Sequence, residues 1–306
     1  MGGAGTGPRR LAAVDIGSNT VHVLVADLVD GQLRDVDHFV EMPELGAEVQ
    51  RTGRIGWRKR RQALAALRKV IGQARRLGYE HLVAGATEAV RRAADGDRLR
   101  DDAAAEIDAP VRLISAEREA RLSFLGVASR VAAKREWLMV DLGGASTEVV
   151  AAEGGRMLSW VSLPLGSGAL AARYLSDPPR PGEREALRAA ALPTLRRAPE
   201  SDAERLVVTG GTASNLPLVL SHDSPPEVLT TQALLAAVER LDAAPAAQVA
   251  AASGLTEAHV RVLRAGAEVL LLLLDYCGLH SLHISHAGLR HGMLLAWLER
   301  GEDWWR

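Results

Sequence analysis

Two short stretches of this chain carry nearly the same set of reactive groups. In the first, an apolar run ends in Asp15 and is followed by Gly17, Ser18, Asn19 and Thr20. In the second, an apolar run ends in Asp141 and is followed by Gly143, Gly144, Ser146 and Thr147, with Glu148 next in line. An aspartate at a strand end offers carboxylate oxygen, which suits magnesium or an ordered water. Glycines just beyond it let the backbone turn tightly and approach a ligand closely. The N–H groups of such a turn, with hydroxyl side chains beside them, suit phosphate oxygens. One Asp-x-Gly occurs in many hairpins, whereas the same pattern at the head of each half of a chain is far more specific.

Other phosphate-compatible groups lie elsewhere. Thr209-Gly210-Gly211-Thr212 follows a short apolar run and precedes a helical pattern. A glycine loop at a helix N-terminus is a phosphate cradle, although such loops also serve as plain strand-to-helix turns. Gly85-Ala86-Thr87 opens another helix, from which Arg91 projects. Ser115 is placed to cap a helix containing Glu117, Glu119 and Arg121. His280, His283, His286 and His291 crowd together near the end. They make a poor metal set, because one strand points His283 and His286 to opposite faces and no cysteine joins them.

These groups need elements to hold them. Residues 11–28 and 139–150 each read as strand, turn, strand, and residues 32–40 and 157–163 as third strands. Residues 81–84, 111–114, 206–208 and 281–284 read as further short strands. Helical patterns run through about residue 77, from about Ala213, and over 287–298. Strands alternate with helices, which predicts an α/β fold. Between the first half's third strand and its helix lies a basic run, Arg51, Arg54, Arg58, Lys59, Arg60 and Arg61. Such a run is usually a solvated helix face, and its alternative role is an anion-attracting rim.

Composition bounds the rest. The 306 residues suffice for two domains, and 47% apolar content supports real cores. A net charge of −1 gives no global pull toward nucleic acid or an anionic membrane. The chain has three lysines, Lys59, Lys69 and Lys134, so its positive charge is nearly all arginine. Cys277 is the single cysteine, which excludes an internal disulfide and reads as a core residue. Residues 1–10 hold no apolar run long enough for a signal peptide, and their Met-Gly-x-x-x-Thr pattern reads as chance in a glycine-rich stretch. The apolar run 270–274 is flanked by Glu268 and Asp275, too close for a membrane span. A cytoplasmic protein is expected, with no nucleic acid or membrane partner.

The duplicated hairpin with its phosphate-binding turns resembles the plan of the actin, sugar-kinase and heat-shock ATPase superfamily. In order and spacing the whole set resembles the exopolyphosphatase and guanosine pentaphosphate phosphohydrolase (Ppx/GppA) family across nearly the full chain. Asp15 to Thr20 looks like its first phosphate motif, and Ala86 to Arg91 like its second, with Arg91 at the anion-binding arginine. Ile114 to Leu122 resembles the segment bearing the catalytic glutamate, which places that role on Glu119. Asp141 to Glu148, Gly210-Gly211-Thr212 and Gly288-Leu289-Arg290 match the remaining motifs.

The resemblance implies actin-like (ribonuclease H-like) duplicated domains with an interdomain cleft. It divides the chain into 1–127 and 128–306, with the last helix, about 287–306, packing back on the first domain. It implies an exopolyphosphatase that releases terminal phosphate from inorganic polyphosphate, with Glu119, Asp141 and Arg91 catalytic and Glu148 supporting. Magnesium, or manganese in its place, would sit on Asp141 and Asp15, and a monovalent cation is compatible. The partner is inorganic polyphosphate or guanosine pentaphosphate, and a homodimer is compatible. Longer relatives add a helical domain that extends the polyphosphate channel, so short chains are the expected substrate. A kinase of this fold would need an adenosine pocket, which the sequence does not display. A polyphosphate or nucleotide sensor without catalysis is the reading from another class.

The chain departs from the family pattern at identifiable places. Ala145 replaces a third glycine, Glu88 a small residue and His22 a common arginine. Glu44 stands near a missing arginine, and His291 replaces a glutamate after Arg290. An added carboxylate at Glu88 and a lost arginine near Glu44 would both weaken a polyanion site.

Overall fold

The computed structural model describes residues 9–221 and 223–306, so the reading of residues 1–8 as a chance acylation pattern lies outside the described residues. In chain order the elements begin with β1 (Arg9–Ile16), β2 (Val21–Val29), β3 (Gln32–Glu41), α1 (Leu45–Thr52), α2 (Gly56–Leu77) and β4 (His81–Ala86). They continue with α3 (Glu88–Arg92), α4 (Gly96–Ile107), β5 (Val111–Leu113), α5 (Ala116–Ala128), β6 (Glu136–Leu142), β7 (Thr147–Glu153) and β8 (Arg156–Leu163). Then come α6 (Ser167–Tyr174), α7 (Glu183–Leu195), β9 (Leu206–Thr209), α8 (Gly211–Leu220), β10 (Val228–Thr230) and α9 (Thr231–Asp242). The chain closes with α10 (Ala246–Ser253), α11 (Glu257–Cys277), β11 (Ser281–Ile284), α12 (Leu289–Arg300) and a final 3-10 turn, Gly301–Asp303.

Two compact units result. The first holds the described residues up to Arg118 together with Leu289–Arg306, and the second holds Glu119–Gly288. The division therefore falls inside α5, not at the 127/128 joint read from the sequence. Residues 129–135 form a short connection between α5 and β6.

The first unit's sheet has the order β3-β2-β1-β4-β5. Strands β1 and β2 pair antiparallel with Asp15 opposite His22, and β1 runs parallel to β4 with Ile16 opposite Ala86. One face buries Ala12, Val14, Ile16, Val21, Val23 and Val25 against a stripe of α2 formed by Leu67, Val70, Ile71 and Ala74. These positions recur every three or four residues, so they share one side of a helix. Burial of each large aliphatic side chain contributes about 1.5–3 kcal/mol. Helix α12 packs against β4 at Gly85, where a Cβ would lie 2.4 Å from Ile114 Cδ1 and 3.3 Å from Met293 Cε.

The second unit repeats the plan with an extra strand, in the order β10-β11-β9-β6-β7-β8. Here β6 pairs antiparallel with β7, Asp141 opposite Glu148, and parallel with β9, Asp141 opposite Thr209. Both strands of this central pair read as continuous apolar runs because both faces are covered. One face carries Leu138, Val140, Val149 and Ala151 with helices α6 to α11. The other carries Trp137, Met139, Val150 and Ala152 against Ala120, Phe124 and Val127 of α5, with Phe124 stacked on Trp137 at 5.7 Å.

Several elements differ from the sequence reading. The single helix expected before residue 77 is two, α1 and α2, broken at Gly53, which adopts φ 71°. Helix α4 was not foreseen, because its apolar face has only Leu99, Ala103 and Ile107. Helix α8 begins at Gly211, not at Ala213, and α12 at Leu289, not at Ala287. Cys277 is partly buried at the end of α11, and burial raises its thiol to about 11.

Candidate active site: two Asp turns and a buried glutamate

In the first unit the turn after β1 closes with Gly17 N–H donating to Thr20 O at 2.9 Å. Its other carbonyls are tied to the entry of α1. Ser18 O accepts Gly46 N–H at 2.7 Å, and Asn19 O accepts Glu44 N–H at 3.0 Å. The second unit's turn has the same build. Gly143 N–H donates to Ser146 O at 3.0 Å, and the carbonyls of Gly143, Gly144 and Ala145 accept from Ser167, Ala169 and Gly166 at the entry of α6. In both turns the acceptor side is engaged inside the unit, which leaves a donor-rich edge for an anion. Ala145 is accommodated by Gly166, where a Cβ would lie 2.2 Å from the Ala145 backbone.

The first unit brings Asp15, the Gly17–Thr20 turn, Thr87, Glu88 and Arg91 to one end of its sheet. Thr87 is buried and donates its N–H to Ile16 O at 3.2 Å, next to the turn. Arg91 Nη2 donates to Glu88 Oε2 at 2.5 Å, and its Nη1 donates to Ile114 O. Arg290 Nη1 lies 3.8 Å from Asp15 Oδ2. Arg290 of the Gly288-Leu289-Arg290 motif thus joins this set.

Glu88 holds the arginine in place and also subtracts charge from its surroundings. Glu88→Gln keeps a hydrogen-bonding group and removes the charge. KM for a phosphate substrate is expected to fall about three- to tenfold with kcat little changed, an effect near 1 kcal/mol for a partly screened pair. Steady-state kinetics check it, and a raised KM would show that holding Arg91 outweighs the added charge.

In the second unit α5 and β6 are coupled directly. Ser123 is fully buried and its Oγ donates to Asp141 Oδ2 at 2.5 Å. Glu119 lies four residues earlier, one helical turn along the same face, and is 9% exposed. Glu117 is exposed. The carboxylate of Asp141 also meets the glycine loop after β9. Gly210 has φ 99°, and a Cβ there would lie 2.7 Å from Leu142 O and 3.0 Å from Asp141 Oδ1. Both the backbone conformation and the space demand glycine. Beyond it, Thr212 is 2% exposed, and its Oγ1 has no hydrogen-bond partner among the described residues.

Other side chains of the set are engaged structurally. Thr147 Oγ1 donates to Leu165 O at 2.9 Å. Glu148 is buried and accepts from Ser162 Oγ at 2.7 Å. Ser123 was missed by sequence reading, although its i+4 spacing from Glu119 was a usable signal.

Among the described residues no group of three or more His, Cys, Asp or Glu side chains is placed to hold an ion. His291, buried in the first unit, is hydrogen-bonded through Nε2 to Asp35 Oδ1 at 2.9 Å, and His38 Nε2 lies 3.2 Å from Asp35 Oδ2. The His22 ring meets that of His38 edge-on at 5.9 Å. Burial raises the Asp35 carboxyl, but hydrogen bonds from His291 and His38 outweigh it and hold the group below the usual carboxylate range. Burial, with Arg290, His38 and His291 nearby, holds His22 well below its ordinary value. Asp35 therefore supplies the carboxylate in the neighbourhood of two family departures, His22 and His291.

The donor chemistry at Asp141 fits magnesium. It is carboxylate oxygen beside a hydroxyl and a glycine loop, with few protein ligands, which suits an ion that completes its shell with water and phosphate oxygens. Asp15, beside Arg290, offers carboxylate oxygen of the same kind within the first unit.

Two units, each with an Asp turn at the end of a β-hairpin and a parallel strand beside it, define an actin-like α/β protein. The chain belongs to the Ppx/GppA phosphatase family, which it matches over residues 24–301. The structure of the Aquifex aeolicus Ppx/GppA family member is similar at 26% identity, TM-score 0.78, covering 97% of this chain and 99% of that one. The structure of a Cytophaga hutchinsonii exopolyphosphatase has the same fold at 22% identity, TM-score 0.85, covering 95% and 98%. Among the described residues no helix is long and apolar enough to cross a membrane.

Proposed function

We propose that this phosphatase hydrolyses the terminal phosphoanhydride of inorganic polyphosphate, acting on short chains. The observation that carries the reading is the placement of Glu119 on α5, buried and one turn from the Ser123 hydroxyl that holds Asp141. A buried carboxylate beside a metal-type carboxylate serves a water nucleophile, as hydrolysis requires. In this mechanism Glu119 takes a proton from water while the water oxygen bonds to the terminal phosphorus. The bridging P–O bond breaks, and the shortened chain leaves with the electron pair. In the second unit the N–H edge of the Gly143 turn is suited to phosphoryl oxygens, and in the first unit the Gly17 turn and Arg91 offer the same kind of charge-offsetting donors. Magnesium on Asp141, when bound, adds positive charge to the same oxygens. Thr212 offers its buried hydroxyl to a phosphate oxygen or its water.

Phosphate release tests this, using short and long polyphosphate, guanosine pentaphosphate and ATP, each with and without magnesium. The expected order puts short polyphosphate first, because the densest run of positive charge, Arg51 to Arg61, is brief. Specific activity that rises steadily with chain length would overturn the short-chain preference. Release from guanosine pentaphosphate alone would reassign the substrate.

A further inference from the structure

We propose that the groove between α1 and the start of α2 is a second polyphosphate-binding site, which holds the far end of the chain whose terminus is cleaved. The proposal rests on the polyphosphate reading above and names where that substrate extends. The groove is a cavity of about 440 Å³ lined by Glu48, Arg51, Trp57, Arg58, Lys59 and Gln62, among others. Residues 51–61 carry six basic side chains and no acidic one.

Trp57 is the anomaly that points to a ligand. A tryptophan is rarely left in water without a role, and this one is 60% exposed. The guanidinium of Arg58 lies 5.3 Å from its ring centre and that of Arg61 5.5 Å. Stacking uses the face of a guanidinium and leaves its in-plane N–H donors available, the geometry that phosphate accepts. The indole therefore holds two phosphate-binding forks in place before any ligand arrives, which lowers the ordering penalty of binding.

The neighbouring acids are already engaged, two of them with arginines of the same basic run and none with Arg58 or Arg61. Glu48 pairs with Arg51 at 2.7 Å and Asp102 with Arg60 at 3.1 Å. Asp95 accepts the N–H groups of Ile55 and Gly56 at 2.7 and 2.9 Å. Among the described residues neither Arg58 nor Arg61 has a carboxylate partner.

The groove is also tied to the phosphate turn within the same unit. The first turn of α1 rests on Ser18 and Asn19, and its last turn lines the groove. Lys59 Nζ donates to Pro43 O at 2.6 Å, which fixes the start of α2 to the segment that enters α1. The separation is about the length of α1, roughly 12 Å at 1.5 Å per residue. A chain of several phosphates can span it, whereas a lone phosphate cannot.

The test is direct binding of end-labelled inorganic polyphosphate to the full chain, read by fluorescence anisotropy ahead of turnover. Arg58→Glu/Arg61→Glu should weaken binding on the order of tenfold and flatten its salt dependence. Trp57→Ala should weaken it severalfold, with Trp57→Phe restoring most of the loss. Lys134→Glu, an exposed basic residue of the second unit, should leave the Kd unchanged. All these side chains are partly or largely exposed, and circular dichroism verifies folding. Equal Kd values for wild type and the double variant overturn the proposal, as does a wild type that does not bind polyphosphate. An equal loss in Lys134→Glu also overturns it by showing a diffuse field. Polyphosphate bound through the groove without phosphate release would leave this site standing and remove the catalytic reading. Release with an unchanged Kd in the double variant would do the reverse.

Discussion

Glu119→Gln is expected to lower turnover roughly a hundred- to ten-thousand-fold, the usual contribution of a general base. The substitution keeps the size and hydrogen bonding of the side chain and removes its ability to accept a proton. Substrate affinity should change little, so kcat and kcat/KM fall together. Glu117→Gln is the control, because its side chain has the same chemistry at an exposed position two residues away on α5. Two positions apart on a helix face different directions. Single-turnover phosphate release separates the cases. Equal effects of the two substitutions, or loss of binding instead of turnover in Glu119→Gln, would remove Glu119 from the role of base.

The second large effect is expected at Asp141. Asp141→Asn keeps an oxygen that can accept the Ser123 hydroxyl, so the contact between α5 and β6 survives. It removes the charge that would hold a divalent ion. Charge stabilisation by such an ion is worth several kcal/mol, so activity should fall on the order of a hundredfold or more. Calorimetric titration with magnesium should show weakened binding in the variant, while its melting temperature stays close to that of wild type. Full turnover of the wild type in excess chelator would remove the metal role altogether.

The elements that position this chemistry were largely legible because their signals are local. The hairpins β1–β2 and β6–β7 are apolar runs closed by Asp-x-Gly turns, and β11 is fixed by its apolar register and flanking polar residues. Ser115 was legible as a cap, and its Oγ accepts the Arg118 N–H at 3.2 Å. What escaped depends on contacts distant in sequence. The pairing of Arg184 with Asp242 and Glu268, and of Arg264 with Asp177, joins segments 58 to 87 residues apart. No periodicity announces such a network. Similarly, nothing near Asp35 in sequence announces that it bonds His291, 256 positions away. Helix α4 escaped because small residues give its buried face little contrast. The break between α1 and α2 escaped because the basic run masks a glycine that ends one helix.

The hydroxyl of Thr212 has a consequence for how this protein balances durability against use. A buried polar atom without a partner lowers stability by about 1–3 kcal/mol. A valine of nearly the same shape would carry no such penalty, so selection for thermal robustness alone would have replaced the threonine. Under the proposed function an oxygen-rich ligand is what satisfies this hydroxyl, so Thr212→Val is expected to raise the melting temperature and to weaken phosphate binding. That pairing of outcomes would mean that part of the affinity is held in advance, as stability given up by the threonine.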